Sequence, residues 1–141
     1  MTPATDWRAE LVEIDRSECL RRLGAHAVGR LGIVVHEQPL VFPVNYALDD
    51  ETVVFRTDPG TKLHGATRGR RVAFEIDGID PLYHEGWSVL VVGTAEEVSD
   101  PHERHQLAHL PLALWGAGPK AHWVRIRPDA ITGRRLVHRS D

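Results

Sequence analysis

Cysteine is nearly absent: Cys19 is the only one in the chain, so no intrachain disulfide can staple the fold. Its neighbours Ser17, Glu18 and Leu20 give it the setting of a small, half-buried residue on an amphipathic helix, not of a reactive thiol. Charge of one sign is scarce as well. The formal net charge is −3 and the isoelectric point is near 6.3, without the basic excess of a general nucleic-acid binder. No apolar run approaches the roughly 18 residues that a membrane-spanning helix needs. No basic segment followed by an apolar stretch opens the chain around Met1–Trp7, so no secretory signal is expected. These absences predict a cytoplasmic protein with neither nucleic acid nor membrane as partner. Internal repeats, a Gly-x-Ser-x-Gly nucleophile elbow and a Walker-type phosphate loop are missing too.

What is present suits one soluble domain. The chain has 141 residues, 42% hydrophobic and 26% charged, enough to bury a core without metal or disulfide. Residues 1–14 read as a flexible lead-in, 15–137 as the folded domain and 138–141 as a tail. Asp15 or Ser17 can cap a helix that carries Leu20 and Leu23 on one stripe and stops near Gly24. Leu31, Ile33 and Val35 then alternate with their neighbours, as do Leu40, Phe42, Val44 and Tyr46, the period of a strand. The polar turns His36–Gln38 and Asp49–Glu51 separate these runs from each other and from a strand over Thr52–Arg56. A short helix is expected over residues 61–67, then strands over Arg71–Asp77 and Trp87–Val98. Asp100-Pro101 starts a helix that ends near Pro111. Residues 112–120 read as irregular, His122–Arg127 as a last strand, and Arg127-Pro128-Asp129 as a turn into the C-terminal segment. Six or so strands with two or three short helices, and no βαβ alternation, make a mainly β antiparallel barrel.

Three segments can carry chemistry. In Arg56-Thr57-Asp58-Pro59-Gly60-Thr61-Lys62 a strand ends, turns tightly and enters a helix. A helix N-terminus offers N–H donors and partial positive charge to an anion. Arg56 adds a two-pronged donor, Lys62 a point charge, and Thr57 and Thr61 hydroxyls. By composition alone the segment is equally readable as a capped turn with two solvated bases. In Val41–Tyr46, Pro43 cannot donate to a sheet ladder and marks an edge or a bulge, which frees backbone for a heterocyclic ligand. Gly86-Trp87-Ser88 opens the longest strand and can wall a pocket, or simply fill the core. His102, His105 and His109 share a helix face, but in an order unlike that of a zinc protease, and no metal site is expected there.

In order, Val28-Gly29-Arg30-Leu31-Gly32, Pro43-Val44-Asn45-Tyr46, Phe55-Arg56-Thr57, Gly60-Thr61-Lys62-Leu63, Val72–Asp77, Gly86–Val89 and Ile131-Thr132-Gly133-Arg134 resemble the pyridoxamine 5′-phosphate oxidase-related FMN-binding split β-barrels. The likeness is greatest to their short, nitroimidazole-resistance-like bacterial branch. The resemblance implies a six- to seven-stranded antiparallel split barrel. It also implies a homodimer with two FMN sites at the subunit interface, and an oxidoreductase acting on a small molecule. By the same resemblance, Pro43, Val44 and Asn45 face the flavin ring. Arg56, Thr57, Thr61, Lys62 and the adjoining Leu63 serve its phosphate, and Trp87 and Ser88 come from a neighbouring strand or the partner chain. True pyridoxamine-phosphate oxidases are longer and carry a C-terminal segment with substrate-binding arginine and histidine residues; here the chain stops soon after Gly133-Arg134-Arg135, which argues against vitamin B6 oxidation. Three alternatives stay open: a flavin-binding module without efficient turnover, a deazaflavin-dependent reductase and a haem-binding barrel. A deazaflavin would use a basic groove at Arg68, Arg70 and Arg71, and haem would use His64 or His84 as axial ligand.

Overall fold

A sheet that curls until its last strand meets an earlier one organises the chain. The computed structural model describes residues 8–58, 69–110 and 122–139. The elements are β1 (Arg8–Ile14), α1 (Arg16–Ala25), β2 (Val28–Val35), β3 (Gln38–Asp49), β4 (Thr52–Thr57), β5 (Arg71–Asp80), β6 (Glu85–Glu97), α2 (Pro101–Leu107) and β7 (His122–Arg139). The strand order is β1-β7-β4-β3-β2-β5-β6, and β6 returns to pair with β7. Among the described residues all neighbouring strands run antiparallel. Six strands therefore close into a barrel and β1 hangs on the far half of β7, the architecture of a split β-barrel.

The period-2 pattern selects the inside face. Leu31 and Ile33 of β2, Phe74 and Ile76 of β5, and Val89 and Val91 of β6 are all buried in one cluster. Each such side chain contributes about 1.5–3 kcal/mol on burial. Gly29 belongs to the same row, and the Phe74 ring occupies the space its Cβ would need. One end of the barrel is closed by α1, whose Cys19 and Leu23 are buried. Burial pushes the Cys19 thiol pKa up, as suits an inert core residue. Tyr46 donates its hydroxyl to the Leu23 carbonyl at 2.6 Å and meets Phe74 edge-on at 4.8 Å.

The helix starts where expected. Asp15 accepts from the Glu18 backbone N–H at 2.8 Å, an N-cap. Glu18 in turn accepts from Arg21 and Arg22, and chiefly the Arg21 hydrogen bond lowers its pKa to about 2. At α2, Pro101 takes the first position after Asp100, whose side chain makes no capping bond. That helix covers a second, smaller cluster of Val54, Val98, Leu107 and Trp123 outside the barrel.

Two expectations needed correcting. Residues 8–14 form β1, paired with β7 from Arg8↔Arg139 to Ile14↔Gly133; only tertiary pairing orders this segment. The last strand does not turn away at Pro128 or end before the tail, but runs on to Arg139. Its register to β6 slips by one residue, since Val92 faces Ala130 and Gly93 faces Pro128. The bulge accommodates the missing proline N–H without ending the strand. The expected helix over 61–67 and the irregular run 112–120 lie outside the described residues. Among the described residues, no helix is long and apolar enough to cross a membrane.

Candidate functional site

The barrel is open between β3 and β4. Their pairing covers only Asp49↔Thr52 to Tyr46↔Phe55. Beyond that point β4 stays with β7, as Arg56↔Trp123 and Thr57↔His122, while, among the described residues, positions 38–45 of β3 pair only with β2. Tyr46 donates its N–H to Ala27 at 2.9 Å, so the even-numbered residues of β3 aim their backbone at β2. By alternation the odd ones, Val41, Pro43 and Asn45, present theirs to the opening. Pro43 therefore sits on an edge, as its chemistry required, and the β2–β3 ladder passes it intact.

Side chains alternate as well. Val44 is buried toward the barrel, and Pro43 is exposed on the outer face. Arg56 and Thr57, adjacent at the end of β4, point to opposite faces. Thr57 is buried beside its register partner His122. Arg56 lies over the Trp123 ring, its guanidinium carbon 4.9 Å from the centroid. Its Nε hydrogen is buried and meets no acceptor among the described residues. A buried donor without an acceptor costs about 1–3 kcal/mol, so an acceptor is expected at this Nε. Thr61, Lys62 and Leu63 lie outside the described residues, so no geometry is assigned to the phosphate turn itself.

Trp87 and Ser88 are elsewhere in the chain. β2 and β5 separate β6 from β3, which places Ser88 three strand spacings from β3 around the sheet, roughly 14 Å along its surface at 4.8 Å each. Trp87 lies against Gly78, whose hydrogen side chain makes room for the indole. Arg22 stacks on it at 4.7 Å and His26 at 5.1 Å. It floors a cleft of about 400 Å³ that Arg22, Asp80, Glu85 and Arg135 also line. Ser88 faces Asp77 on β5 and Arg134 on β7. One subunit thus brings Pro43–Asn45 and Arg56–Thr57 to one opening, and holds Trp87 and Ser88 apart from it.

Other candidates are also placed. Arg71 pairs with Asp129 at 2.5 Å and Arg70 is exposed, while Arg68 and His64 are outside the described residues. His84 sits at the β5–β6 turn with φ 52°, its ring 5.8 Å from that of His138. Two partners escaped the sequence reading. Trp123 supports Arg56, and Glu97 hydrogen-bonds His122 across the β6–β7 junction. Trp123 comes under Arg56 through the β4–β7 pairing, which joins residues more than 60 positions apart, and Glu97 meets His122 through the β6–β7 pairing.

A closed antiparallel sheet with one open edge, an arginine at that edge and an aromatic support beneath it define a split barrel with a candidate ligand site. The chain belongs to the pyridoxamine 5′-phosphate oxidase family, whose model matches residues 15–135. An uncharacterized protein of Mycobacterium tuberculosis H37Rv is 38% identical over 133 residues, which is 91% of this chain and 87% of that one. Among solved structures, the FAD binding protein from Mycobacterium smegmatis is similar with a TM-score of 0.82 at 38% identity, covering 89% of this chain and 98% of that one. A putative pyridoxamine 5′-phosphate oxidase from Corynebacterium glutamicum is similar with a TM-score of 0.76 at 30% identity, covering 89% and 93%.

Proposed function

We propose that this chain binds a flavin through its phosphate at the β3–β4 opening, and that it is a cytoplasmic oxidoreductase acting on a small molecule. The observation that carries the reading is Arg56, whose buried Nε meets no acceptor among the described residues while Trp123 props the guanidinium. A phosphate oxygen is the acceptor this geometry wants. The likeness to a protein named for FAD binding supports the same class of ligand. FMN is the expected cofactor; FAD contains the same ribityl phosphate, so Arg56 serves either. Bound flavin would supply the electron transfer. The chain's part is to hold and orient it and to keep water from its edge.

The proposed working unit is a homodimer. On the outer face, Val41, Gly32, Ala73 and Val92 stand in one cross-strand row, and Val41 is 68% exposed. Apolar surface of this kind favours a second copy. A dimer would let Trp87 and Ser88 of one subunit serve the opening of the other, which they cannot reach within their own chain.

The direct test is the absorption spectrum of the purified protein, with any released cofactor identified by mass, followed by titration with FMN, FAD and a deazaflavin. Expected are a flavin spectrum or saturable FMN binding, and bleaching of bound flavin by a hydride donor. A colourless protein that quenches no flavin fluorescence would overturn the reading. A sedimentation mass of one chain would overturn the dimer.

A further inference from the structure

Among the described residues no strand covers the second edge of β3 over 38–45, and such an edge is a hazard that a fold has to manage. A row of unpaired backbone groups invites any other strand, including the same edge of a second copy, to extend the sheet. The segment Gln38-Pro39-Leu40-Val41-Phe42-Pro43-Val44-Asn45 carries no charge. Leu40, Val41, Phe42 and Val44 all favour strand. Without its prolines it has the composition of a self-associating segment. Lysine, the usual guard of an exposed edge, is missing from it, and Val41 stands out of the sheet at 68% exposure.

The two prolines fall on one phase of the strand. Since the even positions of β3 face β2, Pro39 and Pro43 both turn their nitrogens to the opening. Each faces its β2 partner, Val34 and Arg30, in unbroken register, so neither costs the barrel a ladder bond. Either proline one residue along would have removed a bond to β2 instead. Of the four edge-facing positions 39, 41, 43 and 45, only Val41 and Asn45 retain an N–H. An incoming antiparallel strand would find every second donor missing and a pyrrolidine ring in its place.

We infer that Pro39 and Pro43 are an edge guard: they deny the β3 edge to strand pairing with another copy of this chain, and so keep the opening free for a ligand. Copies of the chain then meet through sheet faces and not through this edge. The inference goes beyond the flavin reading and does not depend on it.

The test restores the missing donors. Pro39→Val with Pro43→Val should keep the wild-type near-ultraviolet circular dichroism at low concentration. On raising the concentration it should lose the wild-type peak in size-exclusion chromatography to larger species that bind thioflavin T. Pro43→Ala alone, which returns one donor with little change of bulk, should show the same loss at higher concentration. Adding Val41→Lys to the double variant places a charge on the edge and should remove the thioflavin T-binding species, even if it weakens the face that Val41 shares with Gly32, Ala73 and Val92. A double variant and a Pro43→Ala protein that both keep the wild-type mass at every concentration would overturn the inference. So would aggregation that Val41→Lys leaves unchanged, because that would mark general misfolding. Flavin titration of the same wild-type sample reports separately on the function proposed above.

Discussion

Replacing Arg56 by methionine separates what the residue does for the fold from what it does for a ligand. Methionine keeps the apolar stem against Trp123 and removes the charge. In the apo protein two contributions then oppose each other. Losing the guanidinium–indole contact, 4.9 Å from the centroid, costs about 0.5–2 kcal/mol. Removing a buried Nε–H without an acceptor returns about 1–3 kcal/mol. Arg56→Met should therefore match or slightly exceed the wild type in a urea melt. Toward a phosphate the two effects no longer cancel. A charge-assisted hydrogen bond contributes about 1.5–3 kcal/mol, which at 1.4 kcal/mol per tenfold is a loss of about 10- to 150-fold in affinity. Fluorescence titration of FMN and of riboflavin, which lacks the phosphate, gives the readout. FMN should weaken by that factor, and riboflavin should change little. Equal losses for the two ligands, or unchanged FMN binding with an apo protein destabilised by more than about 2 kcal/mol, would refute the reasoning.

Other consequences follow from the core and the helix cap. Tyr46→Phe deletes the 2.6 Å hydrogen bond to the Leu23 carbonyl and leaves that acceptor buried, so chemical denaturation should report a loss of about 1–3 kcal/mol. Gly29→Ala drives a methyl into the Phe74 ring and should destabilise by about 1–3 kcal/mol, part of it recovered by Phe74→Leu in the same chain. The acid limb of the stability curve should respond in opposite senses to two carboxylates. Glu18, lowered to about 2 mainly by Arg21, contributes stability above its unfolded pKa that is lost as the pH falls toward 2. Glu75, raised first by burial and then by Asp77 despite Arg30, binds its proton more tightly when folded, so its contribution declines as the pH rises through that raised value. Glu18→Gln should thus flatten the fall in melting temperature on acidification, and Glu75→Gln should steepen it.

Much of this molecule was legible residue by residue. Alternation in Leu31–Val35, Leu40–Tyr46 and Val72–Ile76 marks strands because each presents one face to a single core. Asp15 and Asp100-Pro101 mark helix starts because capping chemistry is local. Pro43 marked an edge or a bulge because a missing N–H is a property of the residue itself. Two elements escaped. β1 has no pattern strong enough to stand without β7, and β7 reads as two pieces because the bulge that carries the chain past Pro128 depends on where Gly93 and Arg127 lie in space. The sequence also put Arg56 and Thr57 in one site without the faces that divide them.

By itself, then, the sequence determined the strands, the helix caps and the family to which the ordered motifs belong, since all three are written in short-range pattern. Only the tertiary structure decided which strand lies beside which. Pairing between residues more than 60 apart puts Trp123 under Arg56, leaves the barrel open at β3, and places Trp87 where its own chain cannot bring it to that opening. Backbone hydrogen bonds are the same whichever strands exchange them, so only closing the whole sheet around one core selects the partners.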